Sequence, residues 1–289
     1  MKIQKVIDFH THVFPDEIAP RALKALSEHS GPYKPCTDGT LRGLLESMDR
    51  AGIGLSVVAS IATKPGQAWP ILEFSKRIKS SRIYPLVSFH PQNSLDEVRR
   101  LIAEASHTGI KGVKLHPMYQ DFSIDSEDMF PYYELLINEG FFVVFHTGYD
   151  IAFPGNLQAS VDRVARLAET FKDLVIVTTH TGGWRQWEML SLLTGFENIY
   201  TDISMTVTET GKERFSELLK GFPPERIFFG TDSPWTDQRE MVNIINELDF
   251  TSELKEAILY KNALNFLKKY HPTSIYNHKS EITNNKSKI

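Results

Sequence analysis

The chain has 289 residues, 41% of them apolar and 24% charged, an ordinary globular composition with enough apolar material for a large core. A net charge of −4 leaves no basic footprint for nucleic acid, and no apolar run reaches membrane-spanning length. The single cysteine, Cys36, excludes an intramolecular disulfide and reads as an incidental loop thiol in a Pro/Gly-rich stretch.

Met1-Lys2 leads directly into a strand-like run with no segment of signal-peptide form, so a soluble cytoplasmic protein is expected. That run, residues 5–10 (KVIDFH), is followed by a long connection, 13–55, that contains Pro15, Pro20, Pro32 and Pro35 and is expected to hold two helices and a loop near the site. Further β-branched or aromatic runs follow at 56–60, 83–90, 112–116, 141–146, 174–180, 199–204 and 227–232. From the second onwards their starts are 25 to 33 residues apart, room for a strand, a helix and two short loops. Near-continuous apolar strands of this kind suit a parallel sheet covered on both faces.

Helical periodicity fills the intervals. Leu95, Val98, Leu101, Ile102 and Ala105 form one stripe behind Ser94, and Val161, Val164, Ala165 and Ala168 another. Leu254, Ile258, Ala263 and Phe266-Leu267 predict a helix over 252–267 behind Thr251/Ser252. Eight strands alternating with helices predict an α/β fold, a (β/α)₈ TIM barrel in one domain over residues 1–270. The polar, aperiodic tail, 271–289, is expected to be disordered.

Six of the ten histidines, His10, His12, His90, His116, His146 and His180, fall at or just beyond strand C-termini. In a barrel those ends converge on one mouth, where catalytic groups sit. His10 and His12 are two apart and point to one face of a strand, and the same period places Asp8 one step deeper, as a partner for a ligand's second ring nitrogen. A hydrogen-bonded core pair would read the same way. His146 closes the fifth strand (FFVVFHTG) and Asp232 the eighth (FFGTDSPW); a salt bridge or a helix cap would also account for Asp232. Together His10, His12, His146 and Asp232 make a ligand set suited to zinc or a similar divalent ion.

The ordered motifs VIDFHTHVFP, KGVKLHP, VVFHTG, THTGGW and FFGTDSPW, followed by KNALNFL, resemble the amidohydrolase superfamily. The similarity is to its amidohydrolase-related branch, which includes aminocarboxymuconate-semialdehyde decarboxylase and related hydrolases. The resemblance spans about residues 5–268. It implies a metal-dependent enzyme with His10, His12, His146 and Asp232 as ligands, His180 as an acid/base or electrostatic group, and Asp232 as a second catalytic residue. It also implies that a second metal would enter if Lys114 were carboxylated.

The expected chemistry is hydrolysis of a small ester, lactone or amide, and the alternative is non-oxidative decarboxylation of an unsaturated or aromatic acid. Lys114 and His116 share a face, and with Arg185 they are candidates for a second metal or for substrate binding. Lys64 is a further candidate clamp for a carboxylate, and Trp69, Trp184, Trp187 and Trp235 are candidate walls. The expected partner is a small-molecule substrate, with no nucleic acid or membrane; a homodimer accords with the family.

Overall fold

The computed structural model describes residues 6–270, so the tail at 271–289 lies outside the described residues. Strands form where the apolar runs place them: β1 (Ile7–Thr11), β2 (Leu55–Val58), β3 (Ile83–Pro85), β4 (Gly112–Leu115), β5 (Phe142–Phe145), β6 (Ile176–Thr178), β7 (Ile199–Asp202) and β8 (Ile227–Phe228). They pair in parallel in the orders β1-β2-β3 and β4-β5-β6-β7-β8. The two sets join at both edges. Val87, just past β3, bridges to Val113, its N–H donating to Gly112 O at 3.0 Å while Lys114 N–H donates to Val87 O at 2.8 Å. On the other edge Phe9 N–H donates to Phe229 O and Asp232 N–H to His10 O, both at 2.8 Å, and Thr11 bridges to Ser233. The ring closes as a (β/α)₈ barrel, as expected.

The first connection holds two helices, α1 (Ala19–Ser27) and α2 (Leu41–Ala51), and then come α3 (Ala68–Ile78) and α4 (Leu95–His107). Ser94 and Glu97 cap α4 reciprocally, satisfying N–H groups that have no partner inside the helix. The helix predicted over 252–267 is divided into Ser252–Glu256, a wider turn at Ala257–Lys261, and Asn262–Tyr270. There the Ile258 carbonyl accepts from Phe229 N–H at 3.0 Å, a strand contact that draws it out of the regular ladder.

The barrel interior is apolar at its base. Ile7, Phe9, Leu55, Tyr84, Phe142 and Phe228 pack in one cluster with Phe266, whose ring lies 5.6 Å from Phe9, 5.0 Å from Phe142 and 5.1 Å from Phe228. The helix Asn262–Tyr270 thus plugs the end opposite the mouth. Gly112 is required here, because a Cβ would come within 2.4 Å of Phe142 and 2.5 Å of Leu86.

Strand β1 breaks the period of two. Ile7 and Phe9 belong to the interior cluster, yet His10 and His12 line the mouth. The pairing of β1 with β2 shifts register between Asp8 and Thr11, and such an irregularity re-aims the side chains that follow it. Asp8 therefore does not support a ligand ring as expected. Its carboxylate accepts from Thr231 N–H (3.0 Å), Thr231 Oγ1–H (2.6 Å) and Gln238 Nε2–H (2.7 Å) and ties β1 to the chain after β8. Full burial raises its pKa to about 6 against those bonds.

Candidate metal centre

His10, His12 and Asp232 converge at the mouth with ligand atoms within 4.8 Å of one another. His12 Nδ1–H donates to Ala59 O at 2.7 Å. His10 Nδ1 lies 3.0 Å from Asp202 Oδ2 and 3.1 Å from Ser204 Oγ, and a carboxylate so close keeps the proton on that nitrogen. Both Nε2 atoms are therefore bare. They stand 3.1 Å apart, and Asp232 Oδ1 is 2.9 Å from His12 Nε2 and 3.4 Å from His10 Nε2. Burial pushes the His12 pKa down, so its ring is neutral. Burial works against ionisation of Asp232, and its carboxyl falls below the usual range only through positive charge on the His10 and His12 side, which a bound cation would supply in place of ring protons. Two lone pairs and a carboxylate facing one point with no proton between them form a site that fits a divalent cation.

A second pair of rings stands beside this group. His146 Nε2–H donates to Tyr149 O at 2.9 Å, leaving Nδ1 bare and 3.3 Å from His180 Nε2. His180 Nδ1 meets Ser204 O at 3.2 Å and Ser204 Oγ at 2.9 Å. Burial first, then neighbouring His146, push the His180 pKa down to about 3. His180 and Asp232 adopt left-handed backbone, with φ of 58° and 59°, a conformation that costs a non-glycine residue about 1–2 kcal/mol and gathers at functional sites.

His116 and His146 stack at 4.2 Å, and Asp150 Oδ2 lies 3.3 Å from His116 Nε2 and 3.5 Å from His146 Nε2. Near both clusters Lys114 is 1% exposed and its Nζ has no hydrogen-bond partner. Burial lowers its pKa to about 8, partly offset by Asp202, Asp232 and Asp150.

These groups open onto a cavity of about 680 Å³, within the range of small-molecule sites. Of the six histidines at strand ends, His10, His12, His116, His146 and His180 line it, and His90 does not. His90 belongs to a turn, its N–H donating to Asn93 Oδ1 at 2.9 Å and its Nδ1 accepting from Gln92 N–H at 3.2 Å. Arg185 and Lys64 are also absent from the lining. Arg185 pairs with Glu209 at 2.8 Å and lies 4.0 Å over the Trp184 ring, so its charge is neutralised outside the cavity. Trp184 and Trp235 form walls; Trp187 instead donates to His180 O at 2.8 Å, and Trp69 is not among the lining residues.

Three functional side chains escaped the sequence reading. Asp202 closes β7 just as Asp232 follows β8, so its strand-end position was a usable signal. Ser204, two residues on, donates to Asp202 Oδ1 at 2.5 Å. Asp150 sits in a loop and carries no positional signal.

Fold and mouth together define a barrel enzyme with a candidate metal centre at its strand ends. A family profile described as amidohydrolase matches residues 7–269, and the chain belongs to that family. No curated protein sequence matches it. Among solved structures it is similar to an uncharacterized TIM-barrel protein from Bordetella bronchiseptica, with 20% identity, TM-score 0.77, and 92% of this chain and 99% of that one covered. It is also similar to 5-carboxyvanillate decarboxylase from Novosphingobium aromaticivorans, whose structure holds manganese, with 13% identity, TM-score 0.69 and coverage of 91% and 97%. A third similar structure is designated a 2-pyrone-4,6-dicarboxylic acid hydrolase, from Pseudomonas putida, with 20% identity, TM-score 0.64 and coverage of 92% and 97%. No described helix is long and apolar enough to cross a membrane.

Proposed function

We propose that this chain is a metal-dependent hydrolase of a small ester, lactone or amide, with one divalent cation held by His10, His12, His146 and Asp232. The donor chemistry, imidazole nitrogen with a single carboxylate, favours zinc. The reading rests on the unprotonated convergence of His10 Nε2, His12 Nε2 and Asp232 Oδ1. A cation held there supplies the positive charge that polarises a carbonyl and acidifies water.

The side chains divide the remaining work. Asp232, ionised and facing the cavity, takes the proton of the attacking water. His180 is neutral at pH 7 with its Nδ1–H turned to Ser204, so its bare Nε2 serves as a base that relays a proton to the leaving group and not as a standing cation. Asp202 and Ser204 fix the His10 and His180 rings from behind. Lys114 faces the substrate as an ammonium, which supports one cation over two.

A second reading, decarboxylation, is favoured by one observation. The Lys114 Nζ, buried without a partner, suits a substrate carboxylate, and one of the similar structures is a decarboxylase. The test is an assay of metal-loaded protein on esters, lactones and amides alongside carboxylated phenols. The expected result is hydrolysis abolished by chelation, no release of CO₂, and a loss of about 10²–10⁴-fold in His180→Asn, as for a removed acid/base group. Release of CO₂ without hydrolysis, or full turnover in His180→Asn, would overturn the assignment.

A further inference from the structure

The cavity wall above the metal centre has a composition that the hydrolytic chemistry does not require. Helix α1 carries two apolar faces. Ala19 and Leu23 are buried in the protein, while Ile18, Ala22, Ala25 and Leu26, at positions i, i+4, i+7 and i+8, line the cavity. Helix α3 repeats the arrangement, with Leu72 packed inward and Ile71 and Phe74 on the cavity. Ile61 and Ile151 extend the wall, and His29, Ser30, Tyr33, Thr63 and Gln67 are polar members of the lining.

Charge is confined elsewhere. The only fixed charges among the described lining residues are Lys114, Asp150 and Asp232, and no arginine lines the cavity. The wall is also held in place. A Cβ on Gly31 would come within 2.4 Å of Ile151 Cδ1, so the chain after α1 packs directly on the loop after β5. Tyr33 Oη–H donates to Glu209, which also binds Arg185. An apolar stripe held over a cavity and left unpacked by protein is matched by an apolar occupant.

We propose that the substrate has one polar head, seated at the metal centre, and an aliphatic or aryl body against the α1–α3 wall, with no second ionised group. This rests on the proposed location of the chemistry but names a substrate class that the reaction alone does not. Such a body gains affinity with each methylene moved out of water, about fourfold per CH₂, whereas a distal carboxylate meets no lysine or arginine on that wall and must be desolvated.

The test is calorimetric titration of the purified protein with butanoate, hexanoate, octanoate and suberate, which has the length of octanoate and a second carboxylate. Affinity is expected to rise about fourfold per methylene, and suberate to bind at least about tenfold more weakly than octanoate. Ile18, 39% exposed, tolerates replacement, and Ile18→Lys places a cation in the wall that narrows the octanoate-to-suberate ratio. Absence of octanoate binding, a flat series, suberate binding as tightly as octanoate, or an unchanged ratio in a folded Ile18→Lys would each overturn the proposal. The readout is heat, not turnover. A steep series without ester hydrolysis removes the proposed reaction and leaves the substrate class, whereas hydrolysis of acetate esters with a flat series does the reverse.

Discussion

His10, His12 and Asp232 on one side of the mouth and His116, His146 and Asp150 on the other offer the same ligand types, two imidazoles and a carboxylate, each set within 4.8 Å. Their protons are distributed differently. In the first set both Nδ1–H groups point away, to Ala59 O and to Asp202, so bare nitrogens face a carboxylate. In the second, His116 Nδ1 accepts from Tyr119 N–H at 3.5 Å, which puts its proton on Nε2, facing Asp150. His146 Nε2–H goes to Tyr149 O, and Asp150 Oδ1 accepts from Ala152 N–H at 2.7 Å. His116 and Asp150 are a satisfied hydrogen-bond network that leaves only His146 Nδ1 bare, the fourth proposed ligand, whereas the first set is repulsive until a cation enters. Proximity of ligand-type residues does not make a metal site; the direction of the remaining lone pairs does.

The sharpest way to break this comparison is to remove one imidazole from each set. His12→Ala is expected to lose bound metal and to reduce turnover by about a thousandfold or more. His116→Ala is expected to keep one metal per chain. Elemental analysis of both purified variants decides it, and equal metal loss, or retention of a full equivalent in His12→Ala, would show the two sets to be alike.

The same contrast explains what could be read beforehand. Strand ends were legible because apolar runs stop where His and Asp begin, and the ring of strands follows from their spacing. The turn taken afterwards was not. His90 ends its run as the others do, but Asn93 captures it in a turn. Asp8 shares the parity of His10 in sequence, yet the register shift in β1 turns it towards Thr231 and Gln238, more than 220 residues away. Asp202 meets His10 directly at 3.0 Å, and Ser204, 194 residues from His10 in the chain, contacts the same ring nitrogen. Cross-strand partners of this kind depend on register, which a single strand's pattern does not encode.

Lys114 faces both sets, and its protonation gives a pH-dependent test. Its pKa falls from 10.5 to about 8 on folding, chiefly through burial. Below about pH 8 the folded protein bears the whole cost of a buried ammonium. Between about pH 8 and 10.5 the unfolded chain keeps a proton that the folded chain has released, so stability contributed by this residue rises with pH. In metal-stripped protein Lys114→Met is therefore expected to be more stable than the parent at pH 7, by up to about 3 kcal/mol. The advantage should be mostly gone by about pH 10. Denaturant melts at both values measure it. A variant no more stable at pH 7 would mean that Asp202, Asp232 and Asp150 compensate the ammonium fully, and that the mouth is balanced without a cation.

The smallest expected effect discriminates between the sets most finely. Asp150→Asn keeps the shape of the side chain and one acceptor oxygen, so either Ala152 N–H or His116 Nε2–H retains its partner while the other weakens. The net loss should be about 1 kcal/mol, the worth of a single hydrogen bond, with metal content unchanged. Asp232→Asn is the matched control on the other side. There the lost charge is one that the bare His10 and His12 nitrogens cannot replace, and metal should leave with it. Denaturation midpoints and metal content of the two Asn variants belong in one experiment. If Asp150→Asn releases metal as Asp232→Asn does, the hydrogen bonds of Ala152 and Tyr119 do not satisfy Asp150 and His116, and Asp150 is itself a ligand of the cation.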